Sequence, residues 1–168
     1  ENLEFPLLEH TEMDEDERAV HVDRALHRVD LRGLEERYPT ELSGGQKKRI
    51  ALARAIILEP RLILYDEPTT GLDPIRAAGI DTLINRLRAD LGVTSIVVTH
   101  DLASAQRVAD RVVLINGGRI VASGTMEELR RSEDDFVQRF LSGTDTPDTD
   151  PDADRLTHPH KHTAKDRI

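Results

Sequence analysis

Two short apolar runs separated by a helical segment constrain the fold of this chain more than any other feature. RLILY (residues 61–65) and VTSIVVTH (residues 93–100) have the length of strands that are buried on both faces. Between them, a helical pattern opens at Asp73 and Pro74 and closes near Gly92. This order predicts parallel strands joined by a right-handed crossover, with ligand-binding residues at the carboxyl ends of the strands.

The surrounding sequence extends this pattern in both directions. Upstream, the spacing of apolar residues predicts helices over 14–31 and 34–38, and a third from Ser43 to just before Pro60. Downstream, the pattern predicts a helix, then a third strand with a hairpin partner across Gly117 and Gly118, then two short helices. Strand, helix, strand, helix, strand is the order of an α/β layer.

Composition excludes several functions. Net charge is −9, from 32 acidic and 23 basic residues, which disfavours a large nucleic-acid-binding face and predicts no direct nucleic-acid partner. The chain has no cysteine, so disulfides and thiolate zinc sites are excluded. No apolar run reaches the roughly 20 residues that span a bilayer. At 168 residues, one globular domain is expected.

A serine and two glycines lie at the start of the helix that is predicted after Ser43. The free N–H groups of a helix N-terminus attract anions, and Gly44 and Gly45 allow a phosphate to approach the backbone closely. The alternative is a serine N-cap with a glycine turn, which needs no ligand.

Three titratable side chains follow the two predicted strands. Asp66 and Glu67 come directly after RLILY, and His100 ends the next strand, so all three should meet at one edge of the sheet. The carboxylates are suited to a metal ion and to proton transfer, and the imidazole to a phosphate. Each acid could instead be a helix cap or half of an ion pair, and a lone histidine is often structural.

Four motifs occur in one order: LSGGQ (42–46), LILYDEP (62–68), GLD (71–73) and TH (99–100). Together they resemble the C-terminal part of an ATP-binding-cassette (ABC) ATPase, and the resemblance covers Glu1 to about Gly143. It implies an α/β, partial P-loop NTPase fold: a parallel-strand core with helices, plus part of the helical subdomain. Residues 1–42 would belong to that subdomain, 43–143 to the C-terminal part of the ATPase domain, and 144–168 to a disordered acidic tail.

The resemblance also implies roles for individual residues. In the family, the signature loop touches the γ-phosphate of ATP held by the opposite subunit, and here that loop is Ser43, Gly44, Gly45 and Gln46. Asp66 would hold Mg²⁺, Glu67 would be the catalytic base, and His100 would be the switch histidine. Asp73 would lie in the loop that crosses the dimer interface.

One element of the family is missing from these residues. No Gly-x-x-x-x-Gly-Lys-Ser/Thr P-loop occurs, nor any Gly-Lys dipeptide. Either an upstream segment is absent or the protein has lost it. We expect an intact protein to hydrolyse ATP, and these residues alone not to.

The segments ENLEFPLLEHTEM and DEPTTGLDPI resemble the ATPase subunit of bacterial Mla/Mce-type lipid-transport systems. This implies a second ATPase subunit, transmembrane permease subunits, a lipid-binding Mce/Mla protein, phospholipid cargo, and a cytoplasmic location on the inner face of the membrane. The ATPase of an amino-acid or other importer, and a non-catalytic module that complements another chain's P-loop, remain alternatives. A DNA-repair ATPase would show a coiled coil or zinc cysteines.

The other histidines show no such context. His158, His160 and His162 lie close together in the acidic tail and could bind a metal adventitiously, but the composition favours a solvated tail. His10, His21 and His27 are predicted to be surface or helix-face residues.

Overall fold

The computed structural model describes residues 1–144, which fall into two compact units. The first runs from Glu1 to Ala109, and the second begins at Asp110. No helix within residues 1–144 combines the length and apolar character needed to cross a bilayer. The predictions for the tail from residue 145 onward, including His158, His160 and His162, lie outside the described residues.

Two helices open the first unit. Helix α1 covers Phe5–His10 and α2 covers Glu15–Arg28, so the predicted helix over 14–31 is confirmed, with a shorter C-terminal end. Asp14 caps α2: its carboxylate accepts the Glu17 N–H at 2.9 Å, and the Glu17 carboxylate accepts the Asp14 N–H at 2.9 Å. Leu26 and Val29 are buried in the core.

The predicted helix over 34–38 is wrong. The Arg37 N–H donates to the Leu34 carbonyl at 3.1 Å, which closes one turn, and a short 3₁₀ helix follows at Pro39–Glu41. Gly33 offers no side chain to cap a helix that starts at Leu34, and Pro39 ends the segment after five residues. Tyr38 is also extended, at φ −73° and ψ 147°, because the residue before a proline avoids the helical region.

The helices and strands that carry the motifs follow in the predicted order. They are α3 (Gly44–Ile56), β1 (Leu62–Asp66), α4 (Pro74–Leu91), β2 (Thr94–Val98) and α5 (Leu102–Val108). Strands β1 and β2 are parallel, with Leu62 opposite Thr94 and Asp66 opposite Val98. Gly92 ends α4 at φ +63°, a conformation that glycine adopts at little cost.

The prediction that both strands are buried on two faces is wrong. Ile63 and Tyr65 of β1 are buried, whereas Leu64 on the opposite face is 70% exposed and Ile96 of β2 is 52% exposed. Apolar residues therefore occupy both faces of the strands, but the first unit covers only one of them. A continuous apolar run shows that both faces of a strand are apolar. It does not show which of the two faces other elements cover.

An aspartate ties the N-terminal helices to the site-bearing ones. The Asp30 carboxylate accepts hydrogen bonds from Arg49 of α3 at 2.8 Å and Arg86 of α4 at 2.9 Å. The bond from Arg86, followed by that from Arg49, holds the Asp30 pKa below its usual range. These contacts fix α3 against α4.

A second polar contact joins α4 to α5. The fully buried carboxylate of Asp81 accepts the Ser104 hydroxyl at 2.5 Å and the Arg107 Nε–H at 2.8 Å. Ser104 is also fully buried, and its N–H donates to Asp101 at 3.2 Å. Helix α5 begins directly after His100, so this contact fixes the helix that follows the candidate histidine.

The second unit contains β3 (Val112–Asn116), β4 (Arg119–Gly124), α6 (Met126–Arg130) and α7 (Asp135–Ser142). Strands β3 and β4 form the predicted antiparallel hairpin. The strand order had also predicted β3 as a third strand of the parallel layer; within residues 1–144 it pairs with β4 alone. Leu114, Leu129 and Val137 form the core of this unit.

Candidate functional site

The carboxylate of Glu67 and the ring of His100 meet at one edge of the parallel pair. Because Asp66 lies opposite Val98 in the register, the residues that follow β1 and β2 emerge side by side. Glu67 Oε1 lies 2.8 Å from His100 Nδ1 and accepts the His100 N–H at 3.1 Å. These two residues are 33 positions apart in the sequence, and the strand order predicted their proximity.

The backbone at Glu67 is held in an unusual conformation. Its φ is +46°, in the left-handed region that residues with a side chain rarely adopt. The Glu67 N–H donates to the Val98 carbonyl at 2.9 Å, and Lys48 Nζ donates to the Glu67 carbonyl at 3.1 Å. Strained residues of this kind persist where neighbouring contacts fix them.

The electrostatics keep Glu67 ionised. The bond with His100, and next that from the Thr70 hydroxyl, holds the Glu67 pKa below its usual range. The carboxylate is therefore charged at neutral pH, and it would become protonated only as the pH falls through this lowered value. His100 is largely exposed, with 79% of its side chain accessible, so a ligand can reach the imidazole.

Asp66 is the residue that could hold a metal ion. It is exposed at the end of β1, next to Glu67. Residues 1–144 contain no cluster of three or more His, Cys, Asp or Glu side chains that could bind a metal without help. A lone exposed carboxylate suits Mg²⁺, which is usually held by one or two carboxylates together with substrate phosphates and water.

A reciprocal cap begins α3. Ser43 accepts the Gln46 N–H at 3.3 Å, and the Gln46 side chain accepts the Ser43 N–H at 2.8 Å. Gly44 is exposed, and a Cβ added there would have no neighbour within 4 Å. At Gly45, the nearest atom to an added Cβ is the Cδ of Arg76, at 4.0 Å. The helix start is thus open to an incoming anion, and the serine N-cap that was the alternative to a phosphate site is also present.

Asp73 caps α4, as its position before Pro74 predicted. One carboxylate oxygen accepts the N–H groups of Ile75 at 3.1 Å and Arg76 at 3.0 Å. The other lies 3.2 Å from Arg76 Nε. Ile75 is 85% exposed, so the start of α4 presents an apolar side chain to solvent.

The sequence reasoning missed two residues that contact Glu67, namely Thr70 and Lys48. The Thr70 hydroxyl donates to Glu67 Oε2 at 2.8 Å. The sequence held a usable signal for Thr70, because its hydroxyl comes three residues after a carboxylate at the end of a strand, in a turn that contains Pro and Gly. Lys48 lies 19 positions from Glu67 in the sequence, and no local pattern predicts their contact.

Comparisons with known proteins add sequence evidence. Residues 2–70 match the family model described as ABC transporter. The "Intermembrane phospholipid transport system ATP-binding protein MlaF" of Haemophilus influenzae is 46% identical over 143 residues, which cover 85% of this chain and 54% of that protein. The "Probable ribonucleotide transport ATP-binding protein mkl" of Mycobacterium leprae is 41% identical over 143 residues, 85% of this chain and 41% of that protein.

A solved structure agrees with these relatives. CbiO1 from Clostridium perfringens, described as part of the ABC transporter complex cbiONQ, superposes with a TM-score of 0.72 at 30% identity. The superposition covers 92% of this chain and 59% of that one. The chain spans about half the length of the curated relatives it matches, at 54% and 41% of the two described above.

Proposed function

This chain is a relative of the ATP-binding proteins of ABC transporters, with the partial P-loop NTPase fold that its motifs predicted, and on that premise we propose that it supplies one face of an ATP-hydrolysing site. The observation that carries the proposal is the contact between Glu67 and His100. Two titratable residues from adjacent strand ends lie within 2.8 Å, in the position where α/β proteins bind ligands.

Glu67 acts as the general base in this proposal. Its carboxylate is ionised at neutral pH and can accept the proton of a water molecule that attacks the γ-phosphorus. His100 contacts the same carboxylate and is exposed, so its other ring nitrogen is free to face the γ-phosphate. Asp66 would hold Mg²⁺, which when bound neutralises charge on the β- and γ-phosphates.

The helix start at Ser43 to Gln46 would serve a different nucleotide. Its open N–H groups and the positive end of the α3 dipole would contact the γ-phosphate bound by a neighbouring subunit. Asp73 would lie in the loop between the two sites. Two ATP molecules would then be sandwiched in a head-to-tail homodimer, and hydrolysis would release the subunits from each other.

These 168 residues contain no P-loop sequence, so the proposal assigns the activity to a larger assembly. A fusion protein can supply the P-loop. It consists of this chain and the part of the Haemophilus influenzae relative that this chain does not match, where the family's P-loop is expected. We call this fusion the "P-loop-complemented protein". This chain alone is expected not to hydrolyse ATP. A non-catalytic module that completes another chain's site is the competing interpretation.

The cargo and partners follow the resemblance to MlaF. We infer a phospholipid-transport role on the cytoplasmic face of the membrane, with transmembrane permease subunits and a lipid-binding protein of the Mce/Mla type as partners. The mycobacterial relative, whose name includes ribonucleotide transport, supports a second class of cargo. The names of the relatives support this part of the proposal.

Replacing Gly44 with glutamate tests the proposed phosphate contact. The added side chain enters open space, and an acid in the first turn favours a helix, so α3 should be retained. A carboxylate facing the γ-phosphate should weaken ATP-dependent dimerisation of the P-loop-complemented protein about tenfold or more. Light scattering with and without ATP measures this effect.

Ala89→Glu is the matched control for Gly44→Glu. It adds the same charge at an exposed position near the C-terminal end of α4, away from the N-terminus of α3. It should leave dimerisation unchanged. If Gly44→Glu dimerises with ATP as well as the wild type does, Ser43 to Gln46 do not contact the nucleotide.

A further inference from the structure

The carboxylate of Glu67 is held through both of its oxygens. His100 contacts Oε1 with its ring and its backbone N–H, at 2.8 and 3.1 Å. Thr70 donates its hydroxyl to Oε2 at 2.8 Å. The two oxygens are thus held from two segments of the chain: the end of β2 and the turn that follows β1.

The bond to Oε2 determines the plane of the carboxylate. The terminal torsion of a glutamate side chain is broad and has no sharply defined rotamers. Contacts at one oxygen alone leave rotation of the group poorly restricted, whereas a second hydrogen bond at the other oxygen restricts it. Thr70 supplies that second bond.

Thr70 is itself fixed by the turn it belongs to. Its N–H donates to the Glu67 carbonyl at 3.3 Å, so the chain folds back on itself over these four residues. Its neighbour Thr69 is buried, at 5% exposure, and anchors the turn. The Thr70 side chain is exposed, and no core packing requires a hydroxyl at this position.

We propose that Thr70 is a positioning residue, which sets the plane of the Glu67 carboxylate so that Oε1 faces His100 Nδ1. Thr70 need not contact the nucleotide to do this, because it acts through Glu67. The consequence for catalysis rests on the proposed function, in which Glu67 is the base. The consequence for His100 does not, because it concerns this chain without nucleotide.

The ring tautomer of His100 reports the carboxylate plane directly. At mildly alkaline pH, where imidazoles are neutral, a carboxylate facing Nδ1 favours the tautomer with hydrogen on Nδ1. Ring ¹⁵N shifts of the histidine-labelled chain distinguish the two tautomers, and His100→Asn identifies the His100 signals. Thr70→Val removes the hydroxyl with little change in shape. It should lower the ratio of Nδ1–H to Nε2–H tautomers about fivefold, which is the effect of losing the hydrogen bond between His100 Nδ1–H and Glu67 Oε1.

Two further variants separate positioning from a general effect on the fold. Thr70→Ser keeps the hydroxyl and should restore the wild-type ratio. Thr82→Val removes the hydroxyl of an exposed threonine on α4, which donates to the Ala78 carbonyl at 2.9 Å, and should leave the ratio unchanged. A ratio unchanged by Thr70→Val overturns the proposal.

The same variants have a kinetic signature in the P-loop-complemented protein. Thr70→Val should lower kcat with KM unchanged, and Thr70→Ser should recover most of the loss, because the base is misaligned while nucleotide binding is intact. If hydrolysis occurs and Thr70→Val leaves kcat at the wild-type value, the positioning role is refuted. If the tautomer ratio falls but no form hydrolyses ATP, the positioning of Glu67 is supported and the proposed function fails.

Discussion

ATP hydrolysis by the P-loop-complemented protein is expected to fall about 10²–10⁴-fold when Glu67 is replaced by glutamine, the range that general-base catalysis supplies. Glutamine keeps the length and shape of the side chain, but its neutral amide cannot accept a proton from water. The amide oxygen can still accept the His100 N–H that Glu67 Oε1 accepts at 3.1 Å. The variant should therefore bind ATP normally and accumulate as a nucleotide-bound dimer.

Phosphate release and dimer mass, both measured with ATP and Mg²⁺, check the two parts of this prediction. Glu9→Gln is a matched control, since Glu9 is an exposed residue of α1 and the same chemical change there should leave the rate unchanged. Wild-type hydrolysis by Glu67→Gln would remove Glu67 from its role as base. Loss of ATP binding would instead point to a structural role.

The largest expected effect on stability comes from Asp81→Ala. Asp81 is fully buried, and its carboxylate accepts hydrogen bonds from Ser104 and Arg107. Without it, the buried Ser104 hydroxyl loses its acceptor. The Arg107 side chain is 41% exposed and can turn to water, which limits the penalty. We expect a loss of about 3 kcal/mol in the free energy of unfolding, at the low end for a broken buried pair.

Urea unfolding of this chain, followed by circular dichroism, measures the change. Asp90→Ala removes an exposed carboxylate from the same helix and should change the unfolding free energy by less than about 0.5 kcal/mol. Equal stability of Asp81→Ala and Asp90→Ala would show that the buried contact between α4 and α5 contributes little. Because α5 follows His100, we also expect Asp81→Ala to broaden the His100 signals.

The order of helices and strands was sufficient to predict that Glu67 and His100 meet. Residues that follow neighbouring parallel strands emerge at one edge, so the proximity of Glu67 and His100 follows from the order of elements. Ser43 and Asp73 were recognisable as caps because N-capping depends on the residue itself and its near neighbours. Such features are local, or follow from one rule of chain topology.

Several features that were mispredicted or missed depend on contacts between distant segments. The apolar sequences of β1 and β2 could not show that Leu64 and Ile96 would be exposed, since burial depends on what packs against each face. Lys48 reaches Glu67 across 19 positions, which no periodic pattern encodes. Asp81 was detectable in principle, because a carboxylate on the buried stripe of α4, beside Ile80 and Ile84, requires a partner.

The helix expected over 34–38 failed for a different reason. Its apolar and charged residues have acceptable helix propensity, but Gly33 offers no side chain to cap its first turn and Pro39 ends it after five residues. Helix α6 has the same length, but it begins with a capping box. Conversely, α4 has both end signals, Pro74 and Gly92, and is eighteen residues long, and it formed as predicted.

Mg²⁺-dependent ATP hydrolysis, compared among three preparations, tests the central claim most directly. They are this chain alone, the unmatched part of the Haemophilus influenzae relative alone, and the P-loop-complemented protein. We predict hydrolysis only in the third, because the P-loop and the residues Asp66, Glu67 and His100 must act on the same triphosphate. Equal hydrolysis by this chain alone, or none in the complemented protein, would contradict this account.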